Sequence, residues 1–525
     1  MISGTIFKFF HRGPVVEKIV RATSTTSAKI ENLTSISSDV KPFSQMPGPK
    51  GIYSIPYLGT AFLFKPFTKY STNDLLCVLK NMRNKYGDLV KIRIGKNYQV
   101  YVFHPDYAKT VFQFPYKIHI KMPLDLIEVF SKRTNSSKSL TLLDGKEWEA
   151  LRKPAQEKML RPAIVASYVP LIGDVTNDLV ELLRKKDKID DLQAQLFKYT
   201  TESIGMLCFN KRLGYFDSNV TPKIVEYIQE MFAIIQTSFT SVFKTFKYFR
   251  TPLYRRFEKT RVEFSKVVNQ EILQQRNMLK RLEKDGKLEE YLEKEPNFMY
   301  SLLSDPRMTV DKVDNIVSTL FGAGIDSTAN SMVFALTDLA LNPDKQAKLY
   351  DEVHRVLGDN KVMTQEHLAQ MTYLKACIKE SQRKTFPVLI GTLRTMETDV
   401  VLGGYSIPKG TVVQMDMEAM TSDERFFPRP NEYIPERWLR DTNDEIAKGQ
   451  DYPFGMKPFG FGPRGCIGQR FAEMELYIGV TKIIQNFQIS MPPGVSDVKS
   501  VMRTLTSPAD TVVLQLKDRK NTRSG

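Results

Sequence analysis

Cysteine is scarce in this chain. Its 525 residues hold four, Cys77, Cys208, Cys377 and Cys466, far apart and with no C-x-x-C pair. That sets aside a disulfide framework and a zinc ribbon, and it fits a reducing compartment. The five histidines, His11, His104, His119, His354 and His367, are as scattered, and no H-x-x-x-H spacing offers a metal site. No segment repeats at a fixed period. Acidic residues are outnumbered, 59 against 75 basic, for a net charge of +16. Such a basic surface suits an acidic protein partner or an anionic membrane. With no nucleic-acid-binding motif and no concentrated basic run, nucleic acid is not an expected partner. What is present is ordinary globular material, 42% hydrophobic and 26% charged, enough for a large core. Length alone suggests about three domains.

The first 46 residues differ from the rest. "MISGTIFKFFHRGPVVEKIVRATSTTSAKI" sets Lys8, Arg12, Lys18, Arg21 and Lys29 against the single acid Glu17, with apolar clusters at Ile6, Phe7, Phe10 and at Val15, Val16, Ile19, Val20. Nothing here approaches the ~20 apolar residues of a membrane-spanning helix. A basic, Ser/Thr-rich, amphipathic start with almost no acid reads as a mitochondrial transit peptide; a disordered polar leader is the alternative. "MPGPKG" marks entry to the folded domain at residue 47. The domain is expected over 47–515, with a polar tail over 516–525.

Alternating residues in "YGDLVKIRIGKNYQVYVFHP" and in "DVVLGGYSIPKGTVVQMDM" predict two hairpins, turning at Gly95-Lys96-Asn97 and near Gly403-Gly404. Helical periods run through 147–162, 174–187, 222–238, 256–283, 311–341, 344–357, 366–384 and 467–486. The stretch 231–257 is too short to span a bilayer. Its Phe239, Phe243, Phe246, Tyr248 and Phe249 interleave with Lys244, Lys247 and Arg250, which reads either as an interfacial membrane contact or as an ordinary helix–loop–helix with a core face.

"FGFGPRGCIG", residues 459–468, surrounds the last cysteine with four glycines. Glycine lets a backbone turn sharply and lets a flat group approach closely. The amphipathic "IGQRFAEMELYIGVTKIIQNF" follows, so Cys466 stands just before a helix, where helical N–H groups favour a thiolate and hence a soft metal ligand. Upstream, "STLFGAGIDSTANSM" puts Asp326 and hydroxyl groups inside an apolar helix, which is costly unless they serve a purpose. "KACIKESQRKTFP" spaces Glu380 and Arg383 to share a helix face and pair. "GKEWEALRKP" puts Trp148 and Arg152 one helical turn apart.

Taken together and in this order, the motifs resemble the cytochrome P-450 (haem-thiolate monooxygenase) superfamily over roughly residues 47–515. The resemblance implies one mainly α-helical domain with small β-sheets, in place of three domains. It implies haem b, held between the long oxygen-binding helix and the helix after the cysteine loop, with Cys466 as the axial thiolate that pushes electron density onto iron. Within the loop, Phe459 would shield the sulfur, Gly462 and Gly468 belong to the pattern, and Arg464 would pair with a haem propionate. Trp148, Arg152 and Arg394 would join Arg464 as an anion clamp. Ala323 and Gly324 match the small residues that make room for dioxygen, and Asp326 the acid of the proton relay. Where the pattern has Thr, this chain has Ser327, which keeps the hydroxyl but lacks the methyl that restricts its rotamer; Thr328 offers a second hydroxyl. Glu380, Arg383 and Arg437 would form a buried structural network.

With no spanning helix at its start, the chain resembles the mitochondrial branch, whose electrons come from an acidic two-iron ferredoxin of the adrenodoxin type with its NADPH reductase. Lys375, Lys379 and Arg470 match that branch's docking positions, although Gln469 replaces a neighbouring basic residue. The segments 104–135, 232–255 and the stretch after Pro387 would line an apolar substrate pocket for a sterol-like, steroid-like or foreign lipophilic compound. The resemblance also implies a peripheral position on the matrix side of the inner membrane. Two other readings remain: a haem-thiolate isomerase or dehydratase of oxidised lipids, and a non-catalytic haem gas sensor or lipid carrier.

Overall fold

A long, mostly apolar helix becomes the axis of the molecule. Helix Val310–Leu341 starts where the Thr309 hydroxyl accepts from the Lys312 amide, and it buries Val313, Ile316, Val317, Leu320, Phe321 and Ile325. Each such side chain contributes about 1.5–3 kcal/mol. Around it pack helices Leu192–Phe209, Pro252–Lys284, Thr372–Lys384 and Gln469–Asn486. The structure, a computed structural model, describes residues 40–71, 74–118, 124–217, 222–240, 244–360, 362–388, 392–440, 444–502 and 504–519.

Among the described residues, the strands are β1 (Leu89–Ile94), β2 (Asn97–Val102), β3 (Lys188–Ile189), β4 (Leu393–Thr395), β5 (Val400–Leu402), β6 (Tyr405–Ile407), β7 (Val412–Met415), β8 (Phe487–Ser490), β9 (Ser500–Met502), β10 (Thr506–Pro508) and β11 (Leu514–Asp518). The main sheet has the order β1-β2-β7-β4, parallel only between β2 and β7. Both predicted hairpins form with two-residue turns, Ile94 facing Asn97 and Leu402 facing Tyr405. The fold is therefore a mainly helical single domain with small sheets, as the motifs implied.

Three expectations change. The single helix over 366–384 is two, Gln365–Gln370 and Thr372–Lys384. The break at Met371 has a cause: the buried Glu352 carboxylate accepts from the Tyr373 and Leu374 amides, each at 2.8 Å, and so caps a new helix there. The folded unit also begins before residue 47. Lys41 exchanges backbone hydrogen bonds with Gly404 and Ser406, and Met46 is buried. At the other end, β11 carries the sheet through Asp518, past the expected boundary at 515, by pairing with β8. Of the leader expected over 1–46 and the tail over 516–525, residues 1–39 and 520–525 lie outside the described residues.

Among the described residues, one segment, Pro162–Arg184, is long and apolar enough to cross a membrane. Its apolar side is core, with Ile172, Val175 and Leu179 buried against the rest of the protein.

Candidate active site

Cys466 ends a tight loop. Its amide donates to the Phe459 carbonyl at 2.7 Å, and the Gly465 amide donates to the Gly462 carbonyl at 2.9 Å. Gly462 has φ +72°, a left-handed conformation in which a β-carbon is strained. Gly468 plays another part: its φ is −87°, so no special backbone freedom is needed. A β-carbon there would stand 3.9 Å from the Cys466 sulfur, so its small size keeps space beside that atom. Cys466 is exposed, whereas Cys208 and Cys377 are buried and burial pushes both thiols well up. Those two are inert packing groups.

Three guanidiniums converge on the loop. Arg152, on helix Gly145–Met159, donates Nη2–H to the Gly465 carbonyl at 2.7 Å and Nε–H to Gln156 at 2.8 Å. Arg394, on β4, donates to the Phe461 carbonyl at 3.0 Å. Arg464 lies 4.1 Å above the Trp148 ring and donates to the Leu143 carbonyl and to Asp144, each at 2.7 Å. Burial lowers all three pKa values, Arg152 and Arg464 to about 10. The cations also disfavour one another: Arg394 and Arg152 both lower Arg464, while Asp144 raises it and the Cys466 sulfur raises Arg152. Asp144 offsets one of the three charges, and neutral carbonyls orient Arg152 and Arg394 without neutralising them, so the cluster carries net positive charge in a mostly dry place. A cavity of about 590 Å³, lined by Gly145, Trp148, Arg152, Gln156, Leu160 and Pro463, reaches it. This donor set fits a haem: fixed cations for two carboxylates, an accessible thiol and a close backbone. Asp144 was missed from sequence; a lone acid before a helix looks like an ordinary cap.

Across from the loop, the central helix shows two faces. Ala323 is exposed and Ser327 half-exposed, one turn apart on the open side, and the Ser327 hydroxyl donates to the Ala323 carbonyl at 2.9 Å. Asp326 and Thr328 are buried on the packed side, so Thr328 does not present its hydroxyl beside that of Ser327. Asp326 is held by Asn330, whose side-chain amide donates to the Asp326 carbonyl at 2.9 Å and to its carboxylate at 3.3 Å. Gln193, from the neighbouring helix, donates to Asn330 at 2.8 Å. Gly324 packs closely, since a β-carbon would lie 3.0 Å from Ile204 Cδ1. Asn330 and Gln193 carry no signal in a single sequence, being separated by more than a hundred residues.

Behind the site, the Glu380 carboxylate takes two bonds from Arg383, at 2.9 and 3.0 Å, and one from Arg437 at 3.0 Å. It also accepts from the Ile434 amide at 3.0 Å and from the Trp438 indole at 2.9 Å. All three charged residues are fully buried. Trp438 is the unforeseen member, legible only as one of two tryptophans beside an expected arginine.

The docking candidates face out. Lys375 is half-exposed and donates to the Ala369 carbonyl at 3.0 Å. Lys379 holds its ammonium 3.9 Å above the Trp438 ring. Arg470 is exposed in the first turn of its helix. The aromatic stretch divides: Phe246 is buried, while Tyr248 and Phe249 are 80% and 70% exposed. Its cations are committed elsewhere, Lys244 and Lys247 to Asp125 and Arg250 to Glu258, so they are not poised for phosphates. Phe243 lies outside the described residues. Two of the expected pocket segments share an apolar cluster, in which Leu126 and Phe130 pack with Ile234, Ile235, Phe246 and Phe257. The β9–β10 hairpin, unforeseen, links 232–236 to Phe386 and Pro387. The Thr504 hydroxyl donates to the Phe232 carbonyl at 3.1 Å, and the Thr506 amide to the Pro387 carbonyl at 2.9 Å.

A family profile for cytochrome P450 matches residues 49–516. Among curated proteins, the chain is 30% identical over 92% of its length to the probable cytochrome P450 49a1 of Drosophila melanogaster, covering 84% of that protein. It is 29% identical to the probable mitochondrial cytochrome P450 12a5 of the same organism (81% of this chain, 82% of that one). It is 28% identical to the mitochondrial 1,25-dihydroxyvitamin D(3) 24-hydroxylase of Rattus norvegicus (85% and 84%). The chain belongs to the cytochrome P450 family, and with it to the haem-thiolate monooxygenases. Within the family it falls in the mitochondrial branch.

Proposed function

We propose that this enzyme hydroxylates a lipophilic, sterol-like or secosteroid-like molecule in mitochondria, on the matrix side of the inner membrane, with electrons delivered by an acidic two-iron ferredoxin. The observation that carries the assignment of the site is the meeting of Cys466, Trp148, Arg152, Arg394 and Arg464 on one loop. Cys466 would hold the haem iron through its sulfur, and the three guanidiniums would hold the haem carboxylates. Haem, when bound, supplies the dioxygen chemistry.

The chain's own groups manage protons and access. Asn330 orients the Asp326 carboxyl on the packed side of the helix. On the open side, the Ser327 hydroxyl is fixed by the Ala323 carbonyl while its oxygen can still accept, which suits it to relay a proton. The apolar cluster around Phe130 and Ile234 excludes water and favours an apolar guest.

The docking part rests on Lys375, which donates to a backbone carbonyl, and Lys379, whose ammonium lies over the Trp438 ring; burial lowers Lys379 and the neighbouring Glu380 carboxylate raises it, a carboxylate shared with two buried arginines. Reversing both to Glu should raise the ferredoxin concentration needed for half-maximal turnover on the order of tenfold or more, with a flatter salt dependence than wild type. Steady-state turnover against ferredoxin concentration checks this, and unchanged kinetics would sink it. Tyr248 and Phe249 are the membrane contact in this reading. Changing both to Asp should release the protein from anionic vesicles in a sedimentation assay, and full retention would refute that contact.

A further inference from the structure

We propose a second proton inlet, in which one water held between Ser331 and Ser381 joins the buried Asp338–Lys384 pair to the face of the central helix that carries Ser327. The inference deepens the hydroxylase reading above and rests on it.

A cavity of about 10 Å³ lies where the central helix, helix Thr372–Lys384 and β10 meet. That is room for about one water, which needs two to four polar partners. The wall offers Ser331, Ser381, Gln382, Thr385 and Thr506. The Gln382 side chain is buried there and makes no hydrogen bond to any described residue. A buried carboxamide of that kind is costly unless a water satisfies it.

On one side of the cavity, Ser331 stands one turn beyond Ser327 on the same face of the helix. Its hydroxyl donates to the Ser327 carbonyl at 2.8 Å, and its oxygen can still accept. On the other side, the Ser381 hydroxyl donates to one oxygen of the Asp338 carboxylate at 2.7 Å. The Lys384 ammonium donates to the other at 2.9 Å. Asp338 is buried, whereas the Lys384 side chain is 26% exposed. Burial pushes the Asp338 carboxyl up and Glu380 adds to this; Lys384 and Ser381 pull it back, and it stays raised. A chain of polar groups therefore runs from solvent at Lys384 to the cavity, and from the cavity to the face that carries Ser327.

Each transfer forms one O–H bond as it breaks another. The Asp338 carboxyl gives its proton to the Ser381 oxygen, which releases its own to the water. The water passes one to Ser331, whose proton leaves toward the open face. The Asp338 carboxylate is reloaded from the Lys384 ammonium, and the lysine takes a proton from solvent. Asp326 faces the packed side of the same helix, so the two acids serve it from different directions.

The test uses the haem-loaded enzyme as wild type, Ser331→Ala, Ser381→Ala and Ser381→Thr. A crystal structure of the wild type should show an ordered water bonded to both serine hydroxyls, and a dry cavity would overturn the inlet. Dioxygen-dependent NADPH oxidation, driven by an adrenodoxin-type ferredoxin, is then followed in light and heavy water. Both alanine variants should slow it on the order of tenfold and enlarge the solvent isotope effect, and Ser381→Thr should restore most of the rate. The reduced carbon monoxide spectrum verifies an intact site in each. A merely structural Ser381 would lower stability and leave the isotope effect alone. An unchanged rate and isotope effect in both alanine variants overturns the inlet and leaves the hydroxylase reading standing. No ferredoxin-driven oxidation in the wild type overturns both.

Discussion

Cys466→Ala should yield a folded protein whose reduced form, under carbon monoxide, lacks the absorbance band diagnostic of a thiolate-bound haem, and whose turnover falls to background. The loop should survive the change. It is tied by the Cys466 amide to the Phe459 carbonyl and by Arg152 and Arg394 to the carbonyls of Gly465 and Phe461, and none of these bonds uses the sulfur. Loss of the band with unchanged circular dichroism would therefore report the ligand, not the fold. Retention of the band would place the ligand elsewhere. Cys208 and Cys377 are buried with thiols pushed far up, which leaves Cys77 as the remaining exposed cysteine.

How much of this could be read from residues alone depended on whether the signal was local. The two hairpins were legible because alternation and Gly-containing turns sit within a few residues. The central helix was legible from its run of apolar residues and its motif. Helix Leu192–Phe209 was not: from Leu196 to Phe209 it is buried on every side, so no polar face marks a period. The break at Met371 was hidden for a different reason, because the cap comes from Glu352 on another helix. The site divides in the same way. Cys466, Arg464 and the glycines share one loop, and Trp148 and Arg152 one helical turn. Asp144, Asn330, Gln193 and Trp438 gain their meaning only from partners far along the chain. Motif membership also did not fix roles. Thr328 follows Ser327 in sequence but faces the packed side.

The Glu380 network should show the largest effect on stability, with a definite order among its members. Glu380→Ala removes the one carboxylate that faces both Arg383 and Arg437 and strands two buried guanidiniums with only carbonyl acceptors, from Thr421 and Glu432 for one and from Pro428 and Ile446 for the other. Arg383→Ala leaves Glu380 with Arg437, the Ile434 amide and the Trp438 indole, so it should cost less, about 3–5 kcal/mol. That is already a large part of the ~5–15 kcal/mol by which domains are stable. Trp438→Phe keeps the ring but removes one charge-assisted hydrogen bond, at about 1.5–3 kcal/mol. Because the charges share one site, the Glu380→Ala/Arg383→Ala double variant should cost less than the two single losses added together. Urea unfolding of the haem-loaded protein measures these differences, and haem release reports whether the scaffold behind the site has opened. The network also reaches the docking face, since the Trp438 ring bonded to Glu380 is the ring that carries the Lys379 ammonium. Arg383→Ala should therefore weaken ferredoxin binding, whereas Trp438→Phe, which preserves a ring under Lys379, should weaken it less. Equal costs across the three single variants, or strict additivity in the double, would mean that Glu380 is not the shared centre of this network.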